Sequence, residues 1–125
     1  MRDPLKIRRL AILLMFACCV THVNAAQEIF VPSGCRLAER PVIPDGDSIS
    51  EEQLITSKRA LEQYLGDSEL FLKCLKRYED SFGEDIDGDK RVLIITSHNK
   101  VVDEMYLAGD EFNVALRKFN RRENP

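Results

Sequence analysis

The stretch CRLAERPVIPDGDSISEEQL, residues 35–54, carries a lone cysteine, then two prolines, then a strong helix start. Ser50 has the small hydroxyl that caps a helix N-terminus, and Gln53 stands at the position that completes a capping box. Ile49 before the cap and Leu54 after it fit a hydrophobic staple. Glu51 and Glu52 place negative charge at the positive end of the helix dipole, and Asp45-Gly46 is turn chemistry. A helix therefore starts at Ser50.

That helix is long. Leu54, Leu61, Leu65, Leu72, Leu75 and Phe82 recur at three–four spacing, with Tyr64, Phe71 and Tyr78 beside them. Lys73, Lys76 and Arg77 lie towards its C-terminal end, and Gly83 suits a left-handed residue past that end. Gly66 is a soft point costing about 1 kcal/mol against alanine. The pattern predicts one helix over about 50–82.

Upstream, residues 1–25 read as a signal peptide. Arg2, Lys6, Arg8 and Arg9 form the positive n-region, Leu10–Val20 the apolar h-region, and Val23-Asn24-Ala25 the cleavage site. The apolar run falls short of the about 20 residues a spanning helix needs. Phe16 and Met15 are poor company for acylation at Cys18, and Arg8-Arg9 lack the context of a folded-export signal. The expected location is the periplasm or the exterior, with no transmembrane segment after cleavage. Cleavage would remove four of 18 basic and one of 21 acidic residues, leaving 14 against 20, a net charge of −6. Such a balance disfavours nucleic acid and anionic membranes as general partners.

Two of four cysteines leave with the leader, so Cys35 and Cys74 remain. In an exported chain of about 100 residues, two cysteines are most simply a staple for a small core. The C-x-x-C spacing of a redox pair is missing. Closing the loop between them, a separation of 39 residues, stabilises by about 4 kcal/mol on chain entropy. Cys74 lies about 36 Å beyond Ser50 along a continuous helix. The segment from Cys35 to Ser50 spans roughly 46 Å if polyproline-like. Pro41 and Pro44 stiffen it, and Pro32 begins the strap. Residues 32–49 are thus expected to form an extended strap running back along the helix, bolted by a Cys35–Cys74 disulfide, with Leu37, Val42 and Ile43 facing inward.

Downstream, Gly83–Lys90 is acidic and punctuated by glycine, but neither EF-hand register fits: glycine and the twelfth-position carboxylate are both misplaced. A turn over 83–88 supplying Asp87 and Asp89 to a helix start is the plainer reading. RVLIITS, residues 91–97, has strand-like composition but no partner strand. Val92, Ile95, Val102, Met105, Tyr106, Phe112, Leu116 and Phe119 continue at helical spacing, and Arg117, Lys118, Arg121 and Arg122 suit a helix C-terminus. A second helix over about 89–121 follows. The expected fold is all-α: one domain, residues 26–125, an antiparallel two-helix hairpin with a proline-containing strap clamped by the disulfide.

His98 is the only histidine past the leader, and no ligand set for zinc accompanies it. Ser97, His98 and Asp103 on one helix cannot converge as a triad. His98, Asn99 and Asn113 are read as polar packing residues. No catalytic residue, metal site or cofactor is expected, and the chain is read as a non-enzyme. The carboxylate pairs Glu51-Glu52 and Asp110-Glu111 read as solvated faces.

Cys35 with Pro44-Asp45-Gly46, LFLKCL at 70–75, HNKVVDEM at 98–105 and Phe112-Asn113 together resemble a group of short exported proteobacterial proteins of uncharacterised function. These carry a Cys…PDG strap, a YLxCL-like helix site and a later HNxxVDxM…FN helix. The resemblance covers nearly all of the chain past the leader; Phe71 stands where the group has tyrosine, and residues 80–94 depart from its pattern. It implies export, the strap architecture and a packing role for His98-Asn99 and Phe112-Asn113, and no activity. The expected role is a protein-binding or structural module of the cell envelope, its partner another envelope protein or a second copy. The alternatives are an envelope enzyme using His98 with acidic residues, and a small-ligand or metal carrier using the Asp85–Asp89 loop.

Overall fold

The structure is a computed structural model and describes residues 28–124. The signal peptide read at 1–25 lies outside them. Two helices dominate: α1, Glu51–Asp80, and α2, Gly88–Glu123, joined through a short 3-10 turn at Gly83–Asp85. Among the described residues there is no strand.

The predicted start of α1 is present in full. Ser50 Oγ accepts from the Gln53 backbone N–H at 3.2 Å, and Gln53 Oε1 accepts from the Ser50 N–H at 2.9 Å. Ile49 and Leu54 are both buried in one cluster, as a staple requires. The helix passes Gly66 unbroken and ends at Asp80, two residues short of the expected limit. Gly83, at φ 57°, takes the left-handed turn that an L-residue resists. Asp87 then caps α2 by accepting from the Lys90 N–H, so residues 91–97 are helical. Their β-branched composition yields to the capped, continuous helix that packs on α1.

The N-terminal strap lies in the groove between the helices. Its partners on α2 climb in order. Phe30 N–H donates to Ser97 Oγ at 2.8 Å, Arg40 meets Glu104 at 2.8 Å, Asp45 meets Lys118 at 2.9 Å, and the Ile49 carbonyl accepts from Arg122 at 2.7 Å. The strap is therefore parallel to α2 and antiparallel to α1. Cys35 and Cys74 form the expected disulfide, with Cα atoms 5.7 Å apart. A turn at residues 32–35, with Gly34 at φ 87°, delivers Cys35 to it.

Two clusters form the core. One gathers Ile49, Leu54, Leu61, Tyr64, Ala108 and Phe112; the other gathers Phe71, Leu75, Ile86, Ile94 and Val101, and Met105 packs against both. Phe71 and Leu75 are each 1% exposed, a burial that stabilises by about 1.5–3 kcal/mol per side chain. At the turn end, the Tyr78 ring meets Phe30 at a tilt and Phe82 edge to face, with the Lys90 ammonium 4.2 Å above the Phe82 ring.

The face of α2 is where the sequence reading needs correction. Val92, Ile95 and Tyr106, expected in the core, are exposed. Phe112 is buried as expected, with Met105, Leu116 and Phe119 packed against the core, but the rest of the buried row is Ile94, Ser97, Val101, Ala108 and Ala115. Small residues let the helix axes and the strap approach closely, which outweighs the bulk of the alternative row. Gly46 marks one such approach, since a Cβ there would sit 1.8 Å from the Ala115 carbonyl oxygen. On the strap, Ile43 packs inward, but Val42 points to solvent and Leu37 is also exposed, because an extended backbone turns neighbouring side chains to different sides.

Candidate functional site

The richest polar arrangement lies where the strap crosses both helices. Arg40 reaches from the strap to α2, with Nη1 2.8 Å from Glu104 and Nη2 2.9 Å from Glu111. Residues seven apart lie on one helical row, so α2 offers both carboxylates to one guanidinium. Lys100, one turn earlier, approaches Glu104 at 3.6 Å. On the α1 side stand buried Tyr64 and Ser68. Burial pushes the Tyr64 phenol above its ordinary value, with Ser68 hydrogen bonding in opposition.

An open cleft of about 690 Å³ lies between the strap and α1, lined in part by Arg36, Arg40, Gln63, Tyr64 and Asp67, with Val42 and Leu70 at its rim. Its central groups are a guanidinium already held by two carboxylates and a phenol shifted away from ionisation. Neither acts as a base or nucleophile at neutral pH.

The predicted site residues fall in two groups. Cys35 and Cys74 meet in the disulfide. His98, Asn99 and Asn113 are all exposed, and the buried polar contacts expected of them are not made. The His98 Nδ1 atom lies 3.4 Å from Asn99 Oδ1, a long contact between chain neighbours on the surface. The physical cause is the rotation of α2 about its axis: the row that faces α1 passes through Ser97 and Val101, carrying His98 and Asn99 away from the strap. Among the described residues no three His, Cys, Asp or Glu side chains gather as metal ligands, and this includes the Asp85–Asp89 turn.

Sequence reasoning missed the strap's polar partners. Glu111, read as a solvated face, is bound by Arg40. Lys118 and Arg122, read as complements to the helix dipole, hold Asp45, Asp47 and the Ile49 carbonyl. The seven-residue repeat of Glu104, Glu111 and Lys118 is the one linear signal that would have marked this seam.

No helix of the described residues is long and apolar enough to cross a membrane. Comparison with protein-family models, with curated proteins and with solved structures finds no match.

Proposed function

We propose that this chain is an exported, non-enzymatic helical hairpin that works as a protein-binding module of the cell envelope. The observation that carries this reading is the uncovered row on α2: Val92 is 63%, Ile95 50% and Tyr106 76% exposed, at positions that share one helical face. They are three of eleven large apolar side chains exposed among the described residues, Leu93, Leu107 and Val114 of α2 among them, and it is their grouping on one face that suits an interaction surface. The disulfide suits an oxidising compartment. His98 stands in the open instead of in a cleft, so the chemistry that an envelope enzyme would need has no enclosed place around it.

Site-specific photo-crosslinking in intact cells tests the reading. A crosslinking side chain at Tyr106 is expected to give a discrete product of higher mass. The same group at Arg59, exposed on α1, is expected to give none. No product from position 106, with the chain present in the envelope, overturns the proposal.

A further inference from the structure

The strap's ion pairs and side-chain hydrogen bonds lie on one side. Phe30, Arg40, Asp45, Asp47 and Ile49 all meet α2, through Ser97, Glu104, Glu111, Lys118 and Arg122. Towards α1, the disulfide fastens one end of the strap and the Ser50–Gln53 cap closes the other. Between those ends the strap and α1 stand apart. The cleft of about 690 Å³ continues past Val42 into a second, of about 320 Å³, lined by Pro44, Gln53 and Thr56. The α1 wall of both is one helical row: Gln53, Thr56, Ala60, Gln63, Asp67 and Leu70. From Gln53 to Leu70 this furrow runs about 26 Å.

Three features of the furrow select its occupant. The wall facing α1 is extended main chain, and residues 36–44 make no backbone–backbone hydrogen bond with any described residue. The α1 wall is mostly polar, whereas a docking helix needs an apolar groove. The length suits about eight residues of extended chain, at about 3.3 Å each. An extended peptide satisfies all three, because it binds through main-chain hydrogen bonds to an open main chain.

Charge then names a side chain. Glu39 on the strap and Asp67 on α1 line the cleft from opposite walls, both exposed and neither ion-paired among the described residues. The Arg40 guanidinium is turned to Glu104 and Glu111 on α2, and Arg36 stands at the disulfide end. A basic side chain placed midway along the furrow meets two carboxylates.

We infer that this furrow binds an extended peptide of about eight residues, its main chain along the strap and a lysine or arginine between Glu39 and Asp67. The site is separate from the α2 row around Tyr106 and does not rest on it.

The probe is a phage-displayed library of random peptides selected on the purified, oxidised chain. The enriched sequences are expected to share a basic residue. A synthetic peptide of that sequence should shift the amide resonances of residues 36–43 and of the Gln53–Leu70 row. It should also slow amide exchange along 36–43, as main-chain pairing requires. Asp67→Lys should raise the peptide's Kd by at least about tenfold, since it sets like charges together. Tyr106→Arg should leave the Kd unchanged. Circular dichroism of both variants keeps loss of fold separate from loss of binding. A selection that enriches nothing, a peptide indifferent to Asp67→Lys, or exchange along 36–43 left unslowed overturns the inference. Shifts centred on Tyr106 also overturn it, and leave the α2 surface and the binding-module reading standing.

Discussion

Arg40 on the strap and Glu104 on α2 stand 2.8 Å apart across 64 residues of chain. Glu111 Oε1 lies 2.9 Å from the other terminal nitrogen of the same guanidinium, an ion pair without hydrogen-bond geometry, so one strap residue faces two carboxylates two turns apart on α2. The Arg40 and Glu104 side chains are 32% and 28% exposed, which leaves the pair only partly screened. Arg40→Ala should therefore lower stability by about 1–2 kcal/mol, more than an isolated surface pair, with the loss shrinking in high salt. Urea unfolding at low and high sodium chloride measures both.

The disulfide restrains a loop with a separation of 39 residues. Cys35→Ser with Cys74→Ser should cost up to about 4 kcal/mol in urea unfolding. Because Phe30 and Ile29 pack on the second core cluster below the bridge, amide exchange should rise first in residues 28–40 while α1 and α2 remain protected.

Gly46 and Gly66 should respond in opposite directions to alanine. A Cβ on Gly46 meets the Ala115 carbonyl at 1.8 Å, whereas one on Gly66 meets nothing within 4 Å. Gly46→Ala should destabilise by about 1–3 kcal/mol as backbone shifts to relieve the overlap. Gly66→Ala, inside α1, should stabilise by up to about 1 kcal/mol. Thermal melts of the two variants decide it.

Lys118 holds the Asp45 carboxyl below its ordinary value of 3.8, helped by the Asp47 backbone N–H. Asp45 in turn holds Lys118 above its ordinary 10.5. The lowered carboxyl contributes stability above its unfolded value and loses it as pH falls through the lower folded one. The raised amine contributes below its unfolded value and loses it as pH climbs through the higher folded one. Asp45→Asn should therefore melt below the parent at neutral pH, and the gap should close under acid. The pair is solvent-exposed, so the effect is small and salt-sensitive. Melting temperatures of both proteins from about pH 7 to about pH 2.5, spanning the carboxylate range, test the sign.

His98→Ala should leave stability within about 0.5 kcal/mol, as for a surface site, because His98 is exposed and its ring reaches only a long contact to Asn99. A loss above 1 kcal/mol, roughly the net contribution of a good hydrogen bond, would contradict the exposed placement. Differential scanning calorimetry suffices.

What the sequence by itself determined lies in short-range chemistry and chain length. The Ser50–Gln53 capping box, the Gly83 reversal and the α1 period are local properties of a few residues, and their energies favour the same helix in any surroundings. The strap was legible because length, proline stiffness and two cysteines left one simple geometry. The rotation of α2 was not. Its sequence carries two apolar rows, Ile94–Val101–Ala108–Ala115 and Val92–Ile95–Val102–Tyr106, and periodicity alone favours the bulkier one. Only packing separates them. Alanine and serine at the contact let α1, α2 and the strap close to short distances, and the Arg40, Lys118 and Arg122 contacts hold α2 at that angle. That choice sent His98, Asn99 and Asn113 to the surface together with Tyr106, because every side chain on a rigid helix turns with the one that is buried.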